Sequence, residues 1–391
     1  MYIKASDERL PGVLPIQELK DAVAKKYITA VKGITKSQFQ PSSMDLRLGP
    51  KAYRIRSSFL PQRRKIAKTL KELLMYEIDL TGSAILERGN VYLIPLLESM
   101  NLPDNIRGRA NPKSSVGRLD IFTRVISDYT HRFEDIDAGY EGMLFLEVVP
   151  RSFTVRVKTG LCLNQLRLFR GNAMIDDRQL AAMHANKPLL YNGLGKKVDP
   201  KIKDGIYVSI EITPRSGRLS GRRRSGGNSA VKDEHVVGYM AKKNSAVIDL
   251  TRTGSYSVRD FWEQIKSPHE NFLILEPEEF YIFASKEKIR VPMDCAAEMV
   301  EFDAGSGELR THYAGFFDSG FGAGPEKGTK AVMEVRPHDV PFRVEDGQLF
   351  FKLRYEKMAQ PPVMGYGKPI GSSYHNQGLT LSKHFVMGKD D

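Results

Sequence analysis

Between Pro112 and Pro150 the chain gathers side chains suited to chemistry on a phosphorylated small molecule. Lys113-Ser114-Ser115-Val116-Gly117-Arg118-Leu119 offers one ammonium, two hydroxyls and a guanidinium around a flexible glycine. Such donors suit a polyanion, because charge-assisted hydrogen bonds to phosphate oxygens are about twice as strong as neutral ones. Further on, Asp137-Ala138-Gly139-Tyr140-Glu141-Gly142 reads as a turn feeding a strand, Met143 to Pro150, whose two faces are apolar except for Glu147. A carboxylate in a buried strand needs a partner or a task. Position alone leaves both open, a structural ion pair or an acid/base group.

Other catalytic devices are absent from the sequence. Cys162 and Cys295 are its only cysteines, far apart and without a Cys-x-x-Cys pair, which argues against a disulfide framework and a sulfur-rich zinc site. Zinc-dependent base deaminases hold their metal with His-x-Glu and Pro-Cys-x-x-Cys; neither pattern occurs, so a deaminase with this sequence is expected to work without zinc, and no metal ligand is assigned. The histidines show no metal spacing, and Gly320 to Gly324 and Gly365 to Gly367 complete neither a dinucleotide fingerprint nor a P-loop.

The blocks around Lys113 and Glu147 resemble the dCTP deaminase branch of the dUTPase-like superfamily, which has a Ser-Ser-x-x-Arg-Leu segment, an Asp-x-Gly turn and a strand glutamate. Gln40-Pro41-Ser42-Ser43-Met44-Asp45-Leu46-Arg47-Leu48-Gly49 is similar to that family's opening strand, and Leu96 to Pro103 to a segment that follows it. The resemblance implies a mainly β fold of β-clip or jelly-roll-like barrels with a few short helices. It also implies hydrolytic deamination of dCTP to dUTP and ammonia. Glu147 would then be the proton shuttle, while Ser114 and Arg118 hold the water and stabilise charge. Lys113 and Ser115 would bind the triphosphate, Asp137 a sugar hydroxyl, and Tyr140 would lie near the ribose. Mg2+ is expected to arrive on the triphosphate, not in a protein cage. Two other readings stay open: a bifunctional or pyrophosphatase enzyme releasing dUMP, and a catalytically silent nucleotide-binding regulator.

Elements that position these groups are legible in the pattern. Ile16, Leu19, Val23, Tyr27 and Ile28 have near-helical spacing, as do Ile66, Leu70, Leu73 and Leu74 opposite a basic face of Arg63, Arg64, Lys65, Lys68 and Lys71. Short strands with turn signals follow at regular spacing, as a barrel or sandwich requires. The two halves also correspond. Ser43-Met44-Asp45-Leu46 reappears as Ser209-Ile210-Glu211-Ile212, Asp137-Ala138-Gly139-Tyr140 as Asp318-Ser319-Gly320-Phe321, and Leu146-Glu147-Val148 as Met333-Glu334-Val335. The chain reads as two tandem copies: repeat 1 over 1–171, a linker over 172–204, repeat 2 over 205–358 and a tail over 359–391.

Opposite Lys113 to Arg118, repeat 2 has Glu301, Asp303 and Glu308, which would repel a triphosphate, so repeat 2 is expected to be degenerate and Glu334 structural. The tail's Ser373-Tyr374-His375-Asn376-Gln377-Gly378 is similar to the family's nucleotide-closing lid, which makes Tyr374 and Gln377 lid candidates. Family members with one repeat are trimers with sites between subunits. The resemblance thus allows a homo-oligomer, or a repeat 2 that replaces the neighbouring subunit's wall.

With 391 residues, 41% hydrophobic and 27% charged, the composition is that of an ordinary globular protein. No apolar run approaches a membrane span and Met1-Tyr2-Ile3-Lys4 opens no signal peptide, so a cytoplasmic location without a membrane partner is expected. The net charge of +12 suits any anionic partner. Its sharpest cluster, Arg215 to Arg224, has no interleaved aromatics and reads as a solvated loop, not a nucleic-acid site.

Overall fold

The structure is a computed structural model that describes residues 10–213, 235–300, 309–311, 315–324, 327–367, 374 and 377–388. The arginine-rich loop and the acidic stretch 301–308 lie outside the described residues. Two β-rich units follow one another along the chain, with five short α-helices among the described residues: α1 (Ile16–Ala24), α2 (Ile66–Leu73), α3 (Ser114–Gly117), α4 (Asp177–Asn186) and α5 (Val258–Phe261). The helical spacing after Pro15 holds only to Ala24; beyond it Ile28–Ala30, rich in β-branched residues, pairs with the strand Val91–Asn101 instead.

In the first half two larger antiparallel sheets, with a small one in which Ala84–Leu86 pairs with Val155–Val157, enclose the core. One is centred on Cys162–Arg170, flanked by Ile106–Pro112 and Met44–Arg47. The other runs Leu74–Asp79, Lys51–Ile55, Val91–Asn101, Glu141–Pro150, Ile121–Ile126. In that second sheet Glu147 stands opposite Leu93 on one side and Arg124 on the other. Leu144, Leu146 and Val148 point into the main core, whereas Phe145 faces outward to a small cluster of Ile55, Leu93, Ile126 and, from α2, Ile66. The alternation is the ordinary consequence of the two-residue period of a strand.

The second half is built on a ten-stranded sheet whose strand Thr329–Pro337 pairs with Tyr281–Ile289. Glu334 lies opposite Ile282 there, in the register that Glu147 has with Leu93. Residues 172–204, expected as a linker, carry α4 and a strand, Leu190–Tyr191, that pairs with Tyr281–Ile289; Leu180, Leu189 and Leu190 are buried in the second core. The segment therefore belongs to the second unit. Its helix is closed by a capping box between Asp176 and Gln179, which satisfies two amide donors at the helix start.

The core of the first half reaches into the second. Tyr239, Trp262, Phe280, Ile282 and Val332 of the second half belong to the same buried cluster as Leu146, Val148 and Phe153 of the first. Charged side chains seal the same boundary: Arg336 pairs with Asp120, Arg167 with Glu356 at 2.8 Å and Arg109 with Glu298 at 3.0 Å. Among the described helices none is long and apolar enough to cross a membrane.

Candidate active site between the two halves

A cavity of about 340 Å³ opens along that boundary. One wall comes from the first half: Lys113, Ser114, Ser115 and Arg118, held where the strand Ile106–Pro112 ends and turns into α3, with Asp45 and Gln165 beside them. The facing wall comes from the second half: Phe316, Phe317, Asp318, Phe321, Val332 and Glu334. The tail closes the cavity with Tyr366, Tyr374, Gln377 and Lys383.

The phosphate-type motif thus meets a carboxylate, but from the other half of the chain. Glu334 is 5% exposed, and burial pushes its carboxyl up to about 8 against the attraction of Arg118. Glu147 does not line this cavity. It is fully buried on the outward face of its own sheet, where Arg124 Nε donates to it at 2.9 Å, and the Arg124 guanidinium is stacked 3.6 Å from the Phe133 ring. The physical reason lies in what covers each strand. α2 and the connection carrying Phe133 cap the outward face of the Glu147 strand, while the first half itself covers the corresponding face of the Glu334 strand, as Val332 in the shared core attests.

Asp137 and Tyr140 are likewise away from the cavity. Asp137 is exposed, and Tyr140 donates its hydroxyl to Met143 O at 2.7 Å and accepts from Asp128 N at 3.2 Å. Their counterparts Asp318 and Phe321 line it instead. Asp318 is buried, bonded by Ser42 and 3.7 Å from Arg167; burial raises its carboxyl despite that arginine. Phe321 lies edge-on to Phe317, with centroids 4.9 Å apart, and 5.4 Å from the ring of Tyr366. Gly320 makes this turn possible: its φ is +91°, and a Cβ there would meet the backbone nitrogen of Tyr366 at 3.0 Å.

Of the residues expected from sequence, the cavity brings together Lys113, Ser114, Ser115, Arg118, Tyr374 and Gln377 and leaves out Asp137, Tyr140 and Glu147. Arg118 is the hub of the tail's closure. It donates to Gln377 Oε1 and to Thr380 O, each at 2.9 Å, and stacks 3.8 Å from the Tyr374 ring. At the other end, Lys113 is paired with Asp45, a buried acid whose Oδ1 has no hydrogen-bond partner. Sequence reasoning did not assign Asp45, Gln165, Tyr366 or Lys383. Asp318, Phe321 and Glu334 were already visible as counterparts of Asp137, Tyr140 and Glu147, and the signal lacking was which copy faces the phosphate motif.

This is a β-rich protein of two joined units in which a wall of ammonium, hydroxyl and guanidinium donors, suited to a polyanion, faces a buried acid. Family models place it further: residues 10–172 match the 2'-deoxycytidine 5'-triphosphate deaminase N-terminal domain and residues 176–385 the C-terminal domain of the same enzyme. The chain belongs to the dCTP deaminase family. The crystal structure of 2'-deoxycytidine 5'-triphosphate deaminase from Agrobacterium tumefaciens is similar over 90% of this chain and 100% of that one, with 39% sequence identity and a TM-score of 0.80. The "dCTP deaminase, dUMP-forming" of Methanosphaera stadtmanae is 34% identical over 137 residues, which are 33% of this chain and 66% of that protein. A protein of the same description from Parafrankia sp. is 28% identical over 181 residues, 43% of this chain and 86% of that one.

Proposed function

We propose that this chain deaminates dCTP hydrolytically to dUTP and ammonia, with Glu334 in place of Glu147 as the proton shuttle. The observation that carries the reading is the facing of Ser114 and Arg118 of one half with the buried Glu334 of the other across one cavity. Attack of water at C4 of cytosine forms a C–O bond and must end with loss of the C4 amine. The base needs one proton at N3 and the leaving group another, and water supplies both. A single carboxylate can relay them in turn when its pKa lies near the operating pH, as burial arranges for Glu334. Ser114 and Arg118 hold the water and stabilise charge at the reacting carbon. Lys113 and Ser115 take the triphosphate, Asp318 faces the sugar, and the aromatic pair Phe317 and Phe321 flanks it.

Mg2+ would come with the nucleotide phosphates. The buried and unpartnered Oδ1 of Asp45 suits a hydrated cation beside Lys113, so Asp45 is the residue that would meet it and help neutralise phosphate charge. Tyr374 and Gln377 close over the bound nucleotide. A cytoplasmic enzyme of nucleotide metabolism fits this chemistry.

A second reading, further hydrolysis to dUMP, is favoured by the names of the two curated relatives. Incubation with dCTP separates the outcomes: ammonia with dUTP supports the first, ammonia with dUMP and pyrophosphate the second, and no ammonia overturns both. In the same assay Glu334→Gln is expected to lower turnover by about 10²–10⁴-fold. Glu147→Gln should keep turnover in whatever fraction stays folded, since leaving Arg124 unpaired costs about 3–5 kcal/mol of stability. Activity in Glu334→Gln comparable to the wild type would end the assignment.

A further inference from the structure

The C-terminal segment does not end at the lid. Phe385 is buried with its ring centroid 5.5 Å from Phe261 and 5.9 Å from Trp262, and Phe385–Val386 pairs in parallel with Tyr256–Ser257. Just before this anchor, the chain runs along the phosphate-type motif. Ser382 Oγ donates to Ser115 O at 2.6 Å, Lys383 N donates to Tyr374 Oη at 3.1 Å, and Lys383 O accepts from Gly254 N at 2.9 Å. The backbone of Lys383 is therefore pinned on both sides, while its side chain lines the cavity with Lys113 and Asp45.

Charge makes this placement informative. Asp45 already neutralises Lys113, so that pair alone offers a polyphosphate little net attraction. Lys383 adds a second ammonium on the same cavity wall as Lys113, and burial, with a lesser repulsion from Lys113 and against the attraction of Asp45, lowers its pKa. Two ammonium groups held together against repulsion are relieved by an anion between them. Resting on the deaminase reading above, the geometry points to Lys383 as a second polyphosphate-binding cation, fixed by the C-terminal anchor and selecting nucleoside triphosphates over monophosphates. It differs in kind from Tyr374 and Gln377. Those are engaged by Arg118, whereas the backbone that carries Lys383 is tied to Gly254 and, through Ser382, to Ser115, so presenting its ammonium needs no further ordering of that backbone on binding.

Steady-state kinetics on the full chain tests this, with dCTP as substrate and dUTP and dUMP as inhibitors that differ only in phosphate number. Lys383→Ala is expected to raise KM for dCTP and the inhibition constant of dUTP by about 10- to 100-fold, the worth of one hydrogen bond to a charged group. The kcat and the inhibition constant of dUMP should move by less than about threefold, and Lys383→Arg should recover most of the loss. Unchanged dCTP and dUTP constants in Lys383→Ala overturn the proposal while leaving the deaminase reading intact. An equal loss for dUTP and dUMP together with a lowered Tm also overturns it, by showing a structural role. A wild-type chain that neither turns over nor binds dCTP removes the deaminase reading and this proposal with it.

Discussion

Glu147 and Glu334 occupy the same place in their strands and have opposite surroundings. Arg124 pairs with Oε1 of Glu147, whose Oε2 is buried without a hydrogen-bond partner, whereas burial holds the carboxyl of Glu334 up to about 8 against the attraction of Arg118 and a backbone hydrogen bond. That shift has a sign that experiment can read. In the unfolded chain the group titrates near 4.5, so between about 4.5 and about 8 the folded protein holds a proton that the unfolded chain has released. Stability therefore falls as pH rises through this window. Glu334→Gln should reduce the fall, with a Tm close to wild type at pH 5 and above it at pH 8. Glu134, also raised to about 8 by burial, keeps part of the slope in both proteins. The free enzyme's kcat/KM should climb with an apparent pKa near 8 as the shuttle ionises. A flat acidic limb, or identical melting profiles for the two proteins, would argue against Glu334 as a buried titrating acid.

At the scale of elements, the deciding feature is α2. Its residue Ile66 is fully buried, and Leu70 and Leu73 complete an apolar stripe over Ile55, Leu93 and Ile126, while Lys68 and Lys71 stay in solvent. The helix closes the very sheet face that, in the second half, the first half covers. Ile66→Ala should thus cost about 2–5 kcal/mol of stability, read as a lowered denaturation midpoint. KM for dCTP should not change, because the cap is separate from the cavity. A raised KM at normal stability would place α2 at the site after all.

For the whole molecule, the consequence is that one chain carries both walls of its site. Ion pairs with both partners buried, Arg336 with Asp120 and Arg167 with Glu356, hold the halves in register, and Arg336 shares its strand with Glu334. Mixing Ser114→Ala chains with Glu334→Gln chains should restore no activity, since neither chain has a complete site. Recovery toward about a quarter or more of wild-type turnover would show that sites are assembled between chains instead, as in symmetric oligomers whose interfaces contribute to function.

Much of this was legible in residue order. The strand periodicity, the turn chemistry of Asp137-Ala138-Gly139-Tyr140 and Asp318-Ser319-Gly320-Phe321, and the donor set Lys113, Ser114, Ser115 and Arg118 are local properties, set by side chains a few residues apart. So is the correspondence of Glu147 with Glu334, because Leu146-Glu147-Val148 and Met333-Glu334-Val335 set a carboxylate between apolar neighbours in the same strand pattern. Which glutamate meets the donors is not local. It depends on what packs against each sheet: a short amphipathic helix in one half, and the other half of the molecule in the second. That packing joins residues more than two hundred positions apart and sets Ser114 and Glu334 on one cavity, and the apolar effect that drives it does not choose between partners, so only the tertiary structure decided which carboxylate faces the cavity.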